Sequence, residues 1–210
     1  MDTSLLPPMI GISGINNATS REKIASYVKS TADRPLCITA NLTTSAIERG
    51  LPYLDDVRNV SRNTLIDIFS RPIPNVINLV RCLRESATDA YPSGATLGRA
   101  MRIAGKNCHG IRLSFDDATT DALIDFRKLF PEAIIALDIT STALRSRCGG
   151  NIQTLCGLLS GYSEEYDEPL ANYVFIEIDE RKGKSGFPIR QGLPVLGMLI
   201  SQKITTCRFG

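Results

Sequence analysis

Tryptophan is absent from this chain of 210 residues, and histidine occurs once, as His109. A single imidazole leaves little for a zinc site to use. The six cysteines (Cys37, Cys82, Cys108, Cys148, Cys156 and Cys207) contain no C-x-x-C pair. No metal and no cofactor is therefore expected. An excess of one charge is missing too. The net charge is +2, and no basic stripe with interleaved aromatics occurs, which argues against nucleic acid as a partner. No apolar run is long enough to span a bilayer, and "MDTSLLPPMIG" lacks the basic start of a secretion signal. The chain thus reads as cytoplasmic, with cysteines inside apolar runs acting as small buried hydrophobes. No linker-like stretch divides it, so residues 1–210 are expected to form a single domain.

What is present is a series of short apolar runs. They are "MIGISGI" (9–15), "LCITA" (36–40), "VINLV" (76–80), "IRLSF" (111–115), "IIALDI" (134–139), "YVFIEID" (173–179) and "ITTCRF" (204–209). Most are rich in β-branched or aromatic residues, as strands are. Helical spacing appears between them, over 20–31, 119–130 and 190–203, and less regularly over 54–70, 94–106 and 141–160. Thr19 and Glu22 read as a capping box. In the stretch 119–130, Leu123, Phe126, Leu129 and Phe130 share one face.

Strand–helix alternation without hairpin signals predicts an α/β fold with a parallel sheet. The spacing fits a (β/α)8 TIM-barrel-like fold with about seven strands visible. The eighth strand is not seen, so the expectation is a barrel incomplete at the C-terminus. The rival is a doubly wound sheet, which opens on G-x-G-x-x-G; "GISGIN" does not match that pattern. The polar, turn-rich loop "RESATDAYPSGAT" (84–96) follows a strand directly and reads as an active-face loop.

Alternation assigns faces to these strands. Bulky apolar residues should meet the helices. That leaves Gly11 and Ser13, Cys37, Thr39 and Asn41, Asn78, Arg112 and Ser114, Asp138, and Glu177 and Asp179 on the interior face. Such charges need partners once buried. Arg112 can pair with Asp138 or with Glu177, and alternation does not choose between them. Asp116, Asp138 and Asp179 fall late in their strands, where barrel enzymes place their chemistry. Ser13 and Ser114 have no His–Asp partnership, which argues against a hydrolase triad. His109 precedes its strand and reads as structural or surface. The "GKSG" turn at 183–186 is a candidate phosphate cradle through backbone N–H groups, or simply a mobile turn.

Four of these segments resemble phosphoribosylanthranilate isomerases. "MIGISGI" resembles their first strand and "HGIRLSFDD" their fourth. "NYVFIEIDERKGKSGFP" resembles their sixth-strand segment, and "AIERGLPYLDDV" an arginine-containing loop after the second strand. The resemblance implies Amadori-type isomerisation of a phosphoribosyl-amine in tryptophan biosynthesis, without a cofactor. It implies Asp179 as the acid, with Ser13 at the position of the family's catalytic cysteine. Gly11 stands at the lysine position. Arg49 is the substrate-binding arginine that the resemblance implies; Arg112, Asp138 and Glu177 from strand alternation, and Gly183 and Gly186 from the "GKSG" turn, complete the expected substrate-binding set. The implied partner is a small phosphorylated sugar derivative. A hydroxyl is a much weaker acid than a thiol, so Ser13 needs an activating base. The alternatives are a barrel that has lost catalysis and acts by binding, or another phosphate-binding lyase or aldolase.

Overall fold

A period of two in the apolar runs and a period near 3.6 between them produce alternating strands and helices. The computed structural model describes residues 9–12, 35–48, 73–139, 149, 170–177 and 189–195. Among these residues the elements are β1 (Met9–Ile12), β2 (Leu36–Thr43), α1 (Thr44–Glu48), β3 (Val76–Leu83), α2 (Gly94–Ala104), β4 (Gly110–Ser114), α3 (Thr120–Leu129), β5 (Ile134–Ile139), β6 (Tyr173–Glu177) and β7 (Ile189–Pro194). No described helix is long and apolar enough to cross a membrane.

The fold is α/β. Strands β2 to β6 form a five-stranded sheet in which every neighbouring pair is parallel. β1 joins β2 in parallel, with Gly11 opposite Cys37. β7 runs antiparallel to β6 and also to β1. A run of simple βα repeats would make every strand parallel, so β7 departs from the expected pattern. It also lies where a helix over 190–203 was expected; "IRQGLP" is extended because it pairs with a neighbour on each side. The strand expected at 204–209 and the helical stretches 20–31, 54–70 and 141–160 lie outside the described residues.

One face of the sheet is covered by helices. Leu36, Ile38, Val80, Ile111, Leu113, Ile135, Leu137 and Val174 share one apolar core with Leu97 and Ala100 of α2 and Leu123 and Phe126 of α3. Most of these side chains are fully buried. At roughly 25 cal/mol per Å2 of apolar surface removed from water, such burial is the main favourable term in the fold. Both helices begin on a hydroxyl cap. Ser93 Oγ accepts the Thr96 N–H at 3.2 Å, and Thr119 Oγ1 accepts the Ala122 N–H at 3.3 Å. α2 ends at Gly105, whose φ of 90° lies in the left-handed region that suits glycine. Leu129 does not join the core: it is 51% exposed, one position past the face that Leu123 and Phe126 bury.

Arg127 ties the layers together at the end of α3. Its Nη1 donates to Pro131 O at 3.0 Å and Ala133 O at 2.6 Å. Its Nη2 donates to Leu170 O and to Asn172 Oδ1, both at 2.9 Å. Asn172 Oδ1 also accepts the Ile135 N–H at 2.8 Å, so one guanidinium sets the entry of both β5 and β6.

Candidate functional site

The face of the sheet away from the helices is mixed in character. Its apolar layer is Cys37, Leu79, Ala136, Tyr173 and Phe175. Next to that layer lies a charged one. Arg112, with no solvent exposure, donates from Nε to Asp138 Oδ2 at 2.8 Å and from Nη2 to Asp138 Oδ1 at 2.6 Å. This is the bidentate fork that a planar guanidinium makes with a carboxylate. Arg112 Nη1 donates to Thr39 Oγ1 at 2.8 Å, and the guanidinium carbon sits 4.1 Å from the Phe175 ring centre. Arg81 Nη2 lies 3.5 Å from Asp138 Oδ2. The structure therefore pairs Arg112 with Asp138. A carboxylate engaged by a two-pronged guanidinium, with a second arginine beside it, is poorly placed to move protons.

Asn78 does not share this face. It stands in register with Ile38, on the helix-covered side. Its Nδ2 donates to Asn107 O at 3.1 Å. "VINLV" is apolar at four of five positions, so neither alternating set carried enough contrast to assign the amide.

Glu177 occupies a strand position opposite Arg190. Ser13, Arg49, Asp179, Gly183 and Gly186 lie outside the described residues. Asp116, expected at the strand mouth, is exposed in the turn after β4.

Burial disposes of the three described thiols as nucleophiles. Desolvation pushes Cys37 up to about 11, against the opposing influence of Arg112. It pushes Cys82 up to about 12 and Cys108 up to about 11. All three are free and buried, and at neutral pH they stay protonated. Burial likewise raises Tyr173 to about 12. Among the described residues no cluster of three or more His, Cys, Asp or Glu side chains is arranged to hold a metal ion.

A second site lies at the C-terminal ends of β2 and β3. α1 starts directly after β2, and the loop 84–93 follows β3. Between them is a cleft of about 240 Å3 lined by Thr44, Ser45, Glu48, Glu85, Asp89, Ala90, Tyr91, Pro92 and Thr96. The loop is held by Arg84. Its Nε and Nη2 both reach Asp117 Oδ1 at 2.7 Å. Its Nη1 donates to the carbonyls of Ala87 and Asp89, each at 3.1 Å. Its guanidinium lies 4.3 Å from the Tyr91 ring centre. Asp89 Oδ2 accepts the N–H groups of Glu85 at 2.9 Å and Ser86 at 2.8 Å, a turn closed by its own side chain. Asp89 is thus structural, whereas Glu85 meets Ser45 Oγ and Glu48 is exposed. Tyr91, 53% exposed, stands on the rim. None of these lining residues was singled out by the sequence motifs. The polar loop after a strand was the one available signal.

His109 sits just before β4, bonded to the strands on either side. Its backbone N–H donates to Asn78 O at 2.8 Å, and its carbonyl accepts from Ile134 N at 2.8 Å. Its ring Nδ1 accepts the Asn78 N–H at 3.0 Å, which only an unprotonated nitrogen can do. The residue is exposed to solvent on one side, and partial desolvation of its ring lowers the pKa below the usual 6.5. In the unfolded chain the ring takes up its proton first as pH falls, so the folded state loses ground on acidification. Stability is expected to be full above pH 6.5 and to decline as pH drops below it. Urea midpoints measured across this window should fall in the wild type and stay flatter in His109→Gln. Equal slopes would refute the assignment.

No family model matches the chain, and no curated protein matches it. Among solved structures, it is similar to the CTP1L endolysin at 11% sequence identity and a TM-score of 0.43, covering 89% of this chain and 66% of that one. The chain therefore spans just under two thirds of that protein's length. No family model and no curated protein ties this chain to the phosphoribosylanthranilate isomerases, and the isomerase resemblance is withdrawn. The Amadori-type isomerisation and the place in tryptophan biosynthesis go with it. The physical reason is that its motifs were mostly alternating apolar residues, which any strand with one face packed against helices needs.

Proposed function

We propose that the chain binds a neutral, hydroxyl-rich small molecule, with the chemistry of a sugar ring, in the cleft between α1 and the loop 84–93. One observation carries this reading: Tyr91 is held by Arg84 on the rim of a cleft that Ser45, Glu85 and Glu48 also line. An exposed aromatic ring gives the C–H face of a sugar an apolar surface. Carboxylates accept hydrogen bonds from adjacent hydroxyls. The same carboxylates repel phosphate, so a phosphorylated sugar suits this cleft poorly. The position supports the reading as well, because ligands of open and closed α/β sheets bind beyond the carboxyl ends of the strands. Pairing of β7 with both β6 and β1 supports a barrel-like closure of the seven strands, with the cleft at its C-terminal rim.

Titrating a panel of neutral mono- and disaccharides against the protein's amide NMR spectrum tests this. Shifts are expected to cluster at residues 44–48 and 84–96. Tyr91→Ala should weaken binding by about tenfold, equivalent to about 1.4 kcal/mol. Glu85→Gln should weaken it less, since the amide keeps one acceptor. No shift with any sugar, or shifts confined to other residues, would sink the reading.

A further inference from the structure

We propose that Arg84 and Asp117, neither of which lines the cleft, are positioning residues for it: they fix the pose of the Tyr91 ring and, through the ring, the affinity for a ligand. The effect on affinity rests on the sugar-binding reading above; the effect on the ring does not.

Local sequence constrains Tyr91 from one side only. Pro92 follows it, and the residue before a proline is steered to extended backbone. Ser93 then caps α2, so the chain beyond Tyr91 is anchored to a helix. Neither constraint chooses among the staggered rotamers of the ring. On the other side, Asp89 Oδ2 accepts the N–H groups of Glu85 and Ser86, and the Asp89 N–H donates to Ser86 O at 3.2 Å. These bonds shape residues 85–89 but stay within the turn.

Arg84, the first residue past β3, reaches outside it. Its Nη1 donates to the carbonyls of Ala87 and Asp89, its guanidinium carbon lies over the Tyr91 ring, and its Nε and Nη2 converge on Asp117 Oδ1. Asp117 belongs to the turn between β4 and α3, where its N–H donates to Ser114 O at 3.0 Å. A planar fork can satisfy a carboxylate and two carbonyls together, whereas an ammonium is a point charge. The side chains of Arg84 and Asp117 are only 16% and 15% exposed, so salt screens the pair little. The ring meanwhile stays 53% exposed, with one face backed by the cation. Once Asp117 is removed, the guanidinium can turn toward water and the ring loses its backing. Only the fraction of molecules that keep the ring in its pose is then competent to bind. A carboxylate on the β4–α3 turn thereby sets affinity in a cleft built from α1 and the loop after β3.

The test uses the full chain, free and with glucose, galactose and maltose. Amide order parameters of residues 85–91 and the aromatic carbon–proton signals of Tyr91 are compared in the free wild type, Asp117→Ala and Arg84→Lys. Both variants are expected to lower the order of 85–91 and to shift the ring signals, with other loops unchanged; a general loss of stability would not be confined in that way. For a sugar that binds the wild type, Asp117→Ala should weaken binding about fivefold, which corresponds to a ring in its pose about a fifth of the time. Asp117→Asn keeps an acceptor without the charge and should fall between. The proposal is overturned if order and ring signals match the wild type, or if they change while sugar affinity does not. If no sugar binds the wild type, the sugar reading fails, and the free-protein spectra alone decide whether Arg84 and Asp117 hold the ring. Should Arg84→Lys fail to fold, Asp117→Ala decides by the same comparison.

Discussion

Replacing Asp138 with alanine is expected to destabilise the protein by about 3–5 kcal/mol, because it leaves a fully buried guanidinium without its counter-charge. Arg112 has no solvent exposure and directs two of its donors at that carboxylate. Water cannot reach the charge once the carboxylate is gone, and an arginine does not neutralise itself by losing a proton. Thr39 Oγ1 and the Phe175 ring remain beside Arg112, but neither carries a charge. The double substitution Arg112→Met with Asp138→Leu removes both charges at similar volume. It should recover most of the loss, since buried ion pairs often exchange for apolar residues at little cost. Arg81 stays behind in that variant, but its 20% side-chain exposure lets water hydrate it. Urea unfolding of the wild type, Arg112→Met, Asp138→Leu and the double variant gives the coupling directly. A loss below about 1 kcal/mol for Asp138→Ala would mean the pair is not buried as described.

Gly110→Ala should be nearly as damaging, for a steric reason. A Cβ built on Gly110 overlaps the carbonyl oxygen of Ile134, and it lies 2.6 Å from the Ile134 carbonyl carbon and 2.7 Å from its nitrogen. These are backbone atoms of the residue opposite Gly110 in β5, so no rotamer change relieves the clash. The strands must separate where β4 begins, next to Arg112. Overpacking in a well-filled interior typically costs about 1–3 kcal/mol, and this case belongs at or above the upper end. Gly98→Ala provides the contrast. There the nearest atom is an edge carbon of the Phe130 ring at 3.1 Å, which can move. A Tm drop for Gly110→Ala no larger than for Gly98→Ala would contradict the close approach of β4 and β5.

Much of the sheet was legible because alternation is a local property. In "LCITAN", "IRLSF", "IIALDI" and the start of "YVFIEID", the bulky apolar set is unbroken, so the helix-covered face was assigned before any contact was known. Asn78 failed the same logic. The polar residue of "VINLV" was assumed to face the interior, whereas it is buried on the helix-covered side, where its Nδ2 donates to the Asn107 carbonyl and its Oδ1 has no hydrogen-bond partner among the described residues. A side chain's partner 29 residues away leaves no trace in local periodicity. Leu129 failed at a helix end, where the apolar stripe runs off the packed face.

The family resemblance failed for a related reason. Its motifs reported that strands alternate with helices, which is a property of the fold class, and they were read as reporting chemistry. The charged layer was visible as residues but not as an arrangement. Arg112 had two candidate partners, and only the pairing of β4 with β5 brings Asp138 to it. Arg81 drew no attention at all, since "VINLVRCL" reads as an apolar strand with a cation near its end.

Taken alone, the order of residues determined that this chain would build a parallel α/β sheet, and for most strands which side would meet helices. Those outcomes follow from side-chain size and polarity at neighbouring positions. Tertiary structure alone decided that "IRQGLP" runs antiparallel, that two arginines share one aspartate, and that Tyr91 and Glu85 rim a common cleft. Each of these depends on which strand lies beside which. That choice is made by free energy summed over contacts tens of residues apart, which local patterning does not encode.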